Sequence, residues 1–204
     1  ESPAEVDYSI AHGLVWNSIG SALGASMMYI GDRLGLYSAL REACAEPGSS
    51  VTAIELAEQT GLHQRWLREW LAQQTGMGVL TLLEGTGDDD ASLRYRIPRA
   101  TAEVLADPSS KEYDIAMIQT VPALVHRAKT MLPLAFSSGI GRPYDEPEVA
   151  QAIDRSHIRH VRDVFLPQVL PIADDGRILE LLQRGCTVAD LGCGGGGLII
   201  SMAK

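Results

Sequence analysis

The sequence predicts a mainly α chain that ends by opening an α/β layer, and three observations carry that prediction. Apolar residues recur at helical spacing through most of the 204 residues. Two short β-prone runs, 81–84 and 93–97, flank a polar stretch containing glycine. Near the end, Thr187-Val188-Ala189-Asp190-Leu191 leads into Gly192-Cys193-Gly194-Gly195-Gly196-Gly197 and then into a short apolar run. A 3.6-residue period marks helices, and β-prone runs bounded by turn residues mark strands.

Composition bounds the rest. With 46% hydrophobic residues, 21% charged residues and a mean hydropathy of +0.02, the chain has ample material for a core and is expected to be soluble. Cys44, Cys186 and Cys193 form neither an even set nor a metal-ligand spacing. Reduced thiols, no metal site and a cytoplasmic location are therefore expected. The chain opens at Glu1 without a methionine and without a basic, apolar leader, so no secretory signal is assigned.

The first element is the uncharged stretch from His12 to Gly31, which carries Leu14, Val15, Trp16, Ile19, Leu23, Met27, Met28 and Ile30. Asn17, Ser18, Ser21 and Ser26, together with Gly13, Gly20, Gly24 and Gly31, dilute it below the roughly 20 predominantly apolar residues of a membrane span. Gly20 and Gly24, with Ala25 beside them, would let another helix come close. The expectation is a homodimer contact ahead of an internal core helix.

From Asp32 to about Asp107 short helices give way to a hairpin. Leu34, Leu36, Leu40 and Ala43 form one helix face. Thr52 can cap a second helix, with Glu55 three residues on and Gly61 at its end. A third, His63 to Gln74, carries Trp66, Leu67, Trp70 and Leu71. The strands Thr81–Glu84 and Leu93–Ile97 follow, joined by Gly85 to Ser92. Helix, tight turn, helix and two-stranded wing make the winged-helix pattern, whose default reading is DNA binding. Charge opposes that default. Between Val51 and Leu105 five basic residues face eight acids, a net of −3, and Asp88, Asp89 and Asp90 at the wing tip would repel phosphates. Nucleic acid is not an expected partner, and Trp66 and Trp70 are read as core or interface.

The stretch from Ser109 to Asp175 reads as helical and broken by prolines. Ser110 is placed as the cap of a helix through Ile115, Met117 and Ile118 that Pro122 kinks or ends; Val125, Ala128 and Met131 continue to Pro133. Pro147 suits the first position of the next helix, whose apolar stripe is Val149, Ile153, Val161, Val164 and Phe165. His157 falls on that stripe and His160 on its flank. Each is a candidate general base or substrate positioner, set against the plainer reading of one packed imidazole and one at the surface. Gly176 to Gly185 is then a short amphipathic helix with a terminal glycine.

Val188 to Leu191 reads as a buried strand, and Leu198, Ile199, Ile200, Met202 and Ala203 as the helix after the turn. This is the opening β-turn-α of a nucleotide-type fold, in which glycines let the backbone approach a ligand and the helix start offers free N–H groups. Gly192, Gly194 and Gly196 give GxGxG; Gly192, Gly194 and Gly197 give GxGxxG. Spacing alone does not choose between a dinucleotide and S-adenosylmethionine. Asp190 does, because a carboxylate at the strand's end repels pyrophosphate and holds an ammonium. Cys193 is read as a small packed residue of the turn.

The run from Asp190 to Gly196 resembles motif I of the class I S-adenosylmethionine-dependent methyltransferases. In that family the turn cradles the methionine portion of the cofactor and the preceding acid contacts its amino group. The resemblance thus implies a cofactor site at Asp190, Gly192, Cys193, Gly194 and Gly196. From about Gly20 to Lys204, order and spacing also resemble the winged-helix methyltransferases that act on small molecules, including many O-methyltransferases and relatives described as transcriptional regulators. In that group the winged helix mediates dimerisation and helps to close the substrate site. The segment before the sheet often folds over the cofactor, which makes Tyr144 a candidate contact; its other reading is a loop tyrosine anchoring Arg142.

The resemblance implies an S-adenosylmethionine-dependent methyltransferase for a small-molecule acceptor. The alternatives are a winged-helix transcriptional regulator with a methyltransferase-like ligand-binding domain, and a nucleotide-binding oxidoreductase. The expected divisions are 1–108, helices and winged helix; 109–175, a helical linker covering the substrate; and 176–204, the start of a Rossmann-like α/β methyltransferase domain. One β-turn-α cannot bury both faces of a sheet, so the chain is expected to be truncated after this motif.

Overall fold

The computed structural model of the chain describes residues 8–83, 92–141, 143 and 146–203. The fold is mainly α, and it divides into two compact units, Glu1–Arg99 and Ala100–Lys204.

The first unit holds α1 (Ser9–Arg33), α2 (Leu36–Ala43), α3 (Ala53–Thr60), α4 (Gln64–Gly76) and an antiparallel pair, β1 (Thr81–Leu83) and β2 (Arg94–Arg96), with Leu82 opposite Tyr95. Helix α3 starts where its sequence signals it. Thr52 Oγ1 accepts from the Glu55 N–H at 3.1 Å, Glu55 Oε2 accepts from the Thr52 N–H at 2.8 Å, and Gly61 ends the helix at φ 71°. The bond from Thr52 and, after it, the Arg94 guanidinium hold the Glu55 carboxyl below its ordinary range. Arg94 also donates to Ser50 Oγ at 2.8 Å, and Val51 exchanges backbone hydrogen bonds with Tyr95. The wing is thereby stitched to the start of α3. Its tip, with Glu84 and Asp88 to Asp90, lies outside the described residues.

Leu36, Leu40, Leu56 and Leu71 are almost fully buried and form the centre of this unit with Tyr37 and Trp70. Burial of each such leucine contributes about 1.5–3 kcal/mol. The two tryptophans of α4 part company: Trp70 is core, whereas Trp66 is 73% exposed. Tyr37 donates to Gln74 Oε1 at 2.6 Å, and burial, followed by the charge of Asp32, holds its phenol well above the ordinary range.

Helix α1 packs within the chain near its C-terminal half. Its buried residues are Gly24 and Gly31, and a Cβ at Gly24 would stand 2.6 Å from Met77 Cε. Gly24 therefore serves packing within the chain, while Gly20 has nothing within 4 Å. Ahead of Gly24, Ile10, Leu14, Trp16, Ile19 and Leu23 are exposed.

The second unit takes in most of α5 (Arg99–Ala106), then a 3₁₀ segment Ile115–Thr120, α6 (Val121–Thr130), α7 (Leu132–Ser138), α8 (Pro147–His160), a π-helical segment Val161–Val169, a 3₁₀ segment Leu170–Gly176, α9 (Arg177–Gln183) and α10 (Gly197–Met202). Ser110 caps a turn rather than a helix, accepting from the Glu112 N–H at 3.0 Å. Pro122 and Pro133 begin α6 and α7 instead of kinking one long helix, since the first turn has no intrahelical use for the missing N–H. Pro147 likewise begins α8. Pro167 interrupts the ladder further on, and the backbone passes it in the wider π form.

Helix α8 packs on the 115–120 segment and on α10. Arg155 donates to the Tyr113 hydroxyl and stands 5.4 Å from the centre of its ring, and Arg127 pairs with Glu146.

The buried strand expected at Val188 to Leu191 is not formed. Residues 185–190 form neither helix nor strand, Val188 is 41% exposed and Leu191 95%. A strand satisfies its N–H and C=O groups through a neighbour, and the described residues supply none here. The turn and the helix of the β-turn-α are present without their sheet. Among the described residues no helix is long and apolar enough to cross a membrane.

Candidate functional site

The glycine turn lies in the second unit, between α9 and α10. Gly192, Gly194 and Gly196 have φ of 85°, 58° and 85°. At these left-handed positions a side chain is strained whatever space surrounds it. Gly196 closes the turn, its N–H donating to Cys193 O at 2.9 Å and its carbonyl accepting from the Ile200 N–H at 3.0 Å.

Gly195 is constrained by space rather than by φ. A Cβ built on it would overlap the Asp154 carboxylate and stand 2.9 Å from Asp154 Cγ. Cβ atoms at Gly194 and Gly197 would stand 3.5 and 3.6 Å from Asp154 Oδ1. Asp154 projects from α8, so this helix lays a carboxylate on the glycine turn. The group is half-buried and makes no hydrogen bond or ion pair among the described residues. Asp190 is also half-buried and likewise unpartnered.

Two uncompensated carboxylates thus attend one turn. Their field favours a cation and opposes a phosphate, by about 1 kcal/mol per pair at 4 Å in bulk water and more where water is partly excluded. Asp190, Gly192, Gly194 and Gly196 stand together, as their adjacency in sequence dictates. Cys193 corrects its packing assignment: it is exposed, with Sγ 3.7 Å from Gly194 O, and nothing among the described residues covers it. Tyr144 lies outside the described residues.

His157 and His160 are both exposed. The buried face of α8 runs through Val149 and Ala152, and His157 lies off it, so the packed-imidazole reading of His157 does not hold. His160 lines an open cavity of about 770 Å³ with Lys111, Arg159, Arg162 and Asp163. Arg162, hydrogen-bonded to Asp163 at 2.6 Å, holds that carboxyl below its usual range.

The residue that sequence reasoning missed is Asp154, one turn before His157. A helical aspartate between Ile153 and Arg155 reads as surface. Only the chain's return at Gly194 to Gly197 gives it a partner surface. Among the described residues no group of three or more His, Cys, Asp or Glu side chains could hold a metal.

The chain is mainly helical, with a two-stranded wing in its first unit and a glycine turn near the end of its second. Residues 22–107 match the family model of the Rv2258c-like winged HTH domain. No curated protein matches the sequence. Among solved structures, human N-acetylserotonin methyltransferase in complex with SAM is similar in fold, with a TM-score of 0.54, 15% identity and coverage of 79% of this chain and 49% of that one. PigF with SAH is similar at a TM-score of 0.51 and 17% identity, covering 93% of this chain and 54% of its own. The chain spans about half the length of these neighbours.

Proposed function

We propose that the protein is an S-adenosylmethionine-dependent methyltransferase acting on a small-molecule acceptor. The observation that carries this reading is the unpartnered Asp190 carboxylate directly ahead of three left-handed glycines. A pyrophosphate would meet repulsion there, which disfavours a dinucleotide; an ammonium would find an ion-pair partner. The fold neighbours solved with SAM and SAH support the same choice. Glycines 192, 194 and 196 let the backbone lie close to the amino-acid portion of the cofactor, and Asp190 orients its amino group. When bound, the cofactor supplies a methyl group already activated by the sulfonium charge. The protein's share is then mostly positioning. On this reading, residues 1–108 form the dimerisation domain, 109–175 cover the substrate and 176–204 begin the catalytic domain.

Calorimetric titration of the intact protein with S-adenosylmethionine and S-adenosylhomocysteine tests the cofactor. Saturable binding is expected, weakened about tenfold to a hundredfold by Asp190→Ala, the scale of a hydrogen bond to a charged group. Absence of binding to the unmutated protein would remove the reading.

The open N-terminal part of α1 is the proposed homodimer contact, since Ile10, Leu14, Trp16, Ile19 and Leu23 are too many large apolar groups to leave in water on one helix. Sedimentation should show a dimer that Leu14→Asp converts to monomer. A monomeric unmutated protein at micromolar concentration would refute this.

A further inference from the structure

Asp154 has a role that the glycine motif does not supply. Its carboxylate lies on the turn, near enough to Gly195 that a side chain there would have to displace it, and within contact range of a Cβ at Gly194 and Gly197. It has no cation of its own. Arg155, the next residue along α8, is engaged with Tyr113, and Asp154 makes no ion pair among the described residues. A half-buried carboxylate without a partner is open to a ligand that brings the opposite charge. Unlike Asp190, which rides on a stretch with no ladder, Asp154 stands on a helix of 14 residues anchored by buried Val149 and Ala152. Groups on packed helices are held more rigidly than groups on loops.

We infer that Asp154 is a second binding residue for the cofactor's ammonium group, resting on the glycine turn that Asp190 precedes in the chain. This rests on the cofactor reading proposed above and adds to it a residue that the motif does not contain. The pairing divides the work. Asp190 comes with the turn itself, whereas Asp154 reports whether α8 is docked on the turn. Affinity for the ammonium then depends on the packing of α8 against α10 as well as on the motif. At position 195, whose backbone conformation does not itself demand glycine, a side chain would have to displace this carboxylate.

The test is calorimetric titration of the intact protein and of Asp154→Asn with three probes. S-adenosylmethionine has both ammonium and sulfonium, S-adenosylhomocysteine has the ammonium alone, and methylthioadenosine has neither. Asp154→Asn keeps the shape and removes the charge, so a fold unchanged by circular dichroism is expected. Affinity for the first two probes should fall about tenfold to a hundredfold, with that for methylthioadenosine within about twofold. Gly195→Ala, which pushes the carboxylate off the turn from the other side, should give the same pattern. Loss for S-adenosylmethionine alone would assign Asp154 to the sulfonium and overturn the inference. Equal loss for all three probes would show a structural role, and no loss for any would show no role. If the unmutated protein binds neither S-adenosylmethionine nor S-adenosylhomocysteine, the cofactor reading falls first and this inference with it.

Discussion

Trp70→Ala is expected to destabilise the first unit by about 3–5 kcal/mol, the range for deleting a large buried aromatic side chain. The indole is 5% exposed, its Nε1–H donates to Met27 O at 2.9 Å, and its ring meets Tyr37 at 5.4 Å between centroids in a tilted arrangement of 59°. Truncation removes the apolar area, opens a cavity beside Gly31, strips the Met27 carbonyl of its donor and breaks the aromatic pair. Each loss has the same sign. The control lies one turn earlier on the same helix: Trp66 is 73% exposed, and Trp66→Ala should change stability by no more than about 0.5 kcal/mol. Urea titrations followed by far-ultraviolet circular dichroism avoid the loss of a fluorophore in either variant. Similar midpoints for the two variants would mean that α4 does not bury the face described here.

The contrast between these tryptophans shows how far the sequence could be read. Spacing placed both on one helix with Leu67 and Leu71, and both were read as core or interface. What spacing could not say is that α1 would come down on Trp70 and leave Trp66 in water, because that depends on contacts 43 residues apart. Several local signals were legible. Thr52 with Glu55, Gly61, Pro147 and the two wing strands stand where their side-chain chemistry predicts. The larger misplacements were non-local. Val188 to Leu191 has the composition of a buried strand, but a strand exists only beside another strand. Gly24 was read as a subunit contact because a small residue on a helix says that something approaches closely, without saying what. At the candidate site, Asp190 and the left-handed glycines followed from the motif, whereas Asp154 was hidden. No periodicity in α8 reveals that the chain returns to it 40 residues later.

Two alanine substitutions on α1 should have opposite signs, and the reason is geometric. At Gly20 a new Cβ meets nothing within 4 Å, so Gly20→Ala should stabilise the chain by about 0.5–1 kcal/mol through helix propensity and a less flexible unfolded state. At Gly31 a new Cβ would stand 2.5 Å from Trp70 Cζ2 and 2.7 Å from Tyr37 Cε2. Those rings are not free to swing aside: Trp70 is tied to Met27 O, and Tyr37 is tied to Gln74, which is fully buried. Relief has to come from α1 lifting off α4, which exposes apolar surface and stretches the indole hydrogen bond. Overpacking of this kind costs about 1–3 kcal/mol, more than the propensity gain of about 1 kcal/mol at the same position. Gly31→Ala should therefore lower the urea midpoint while Gly20→Ala raises it, with the slope of each transition unchanged. If Gly31→Ala also raised the midpoint, α1 would not be seated on the Tyr37–Trp70 pair. The exposed apolar residues ahead of Gly24 would then belong to a helix free along its whole length rather than to one anchored at its C-terminal half.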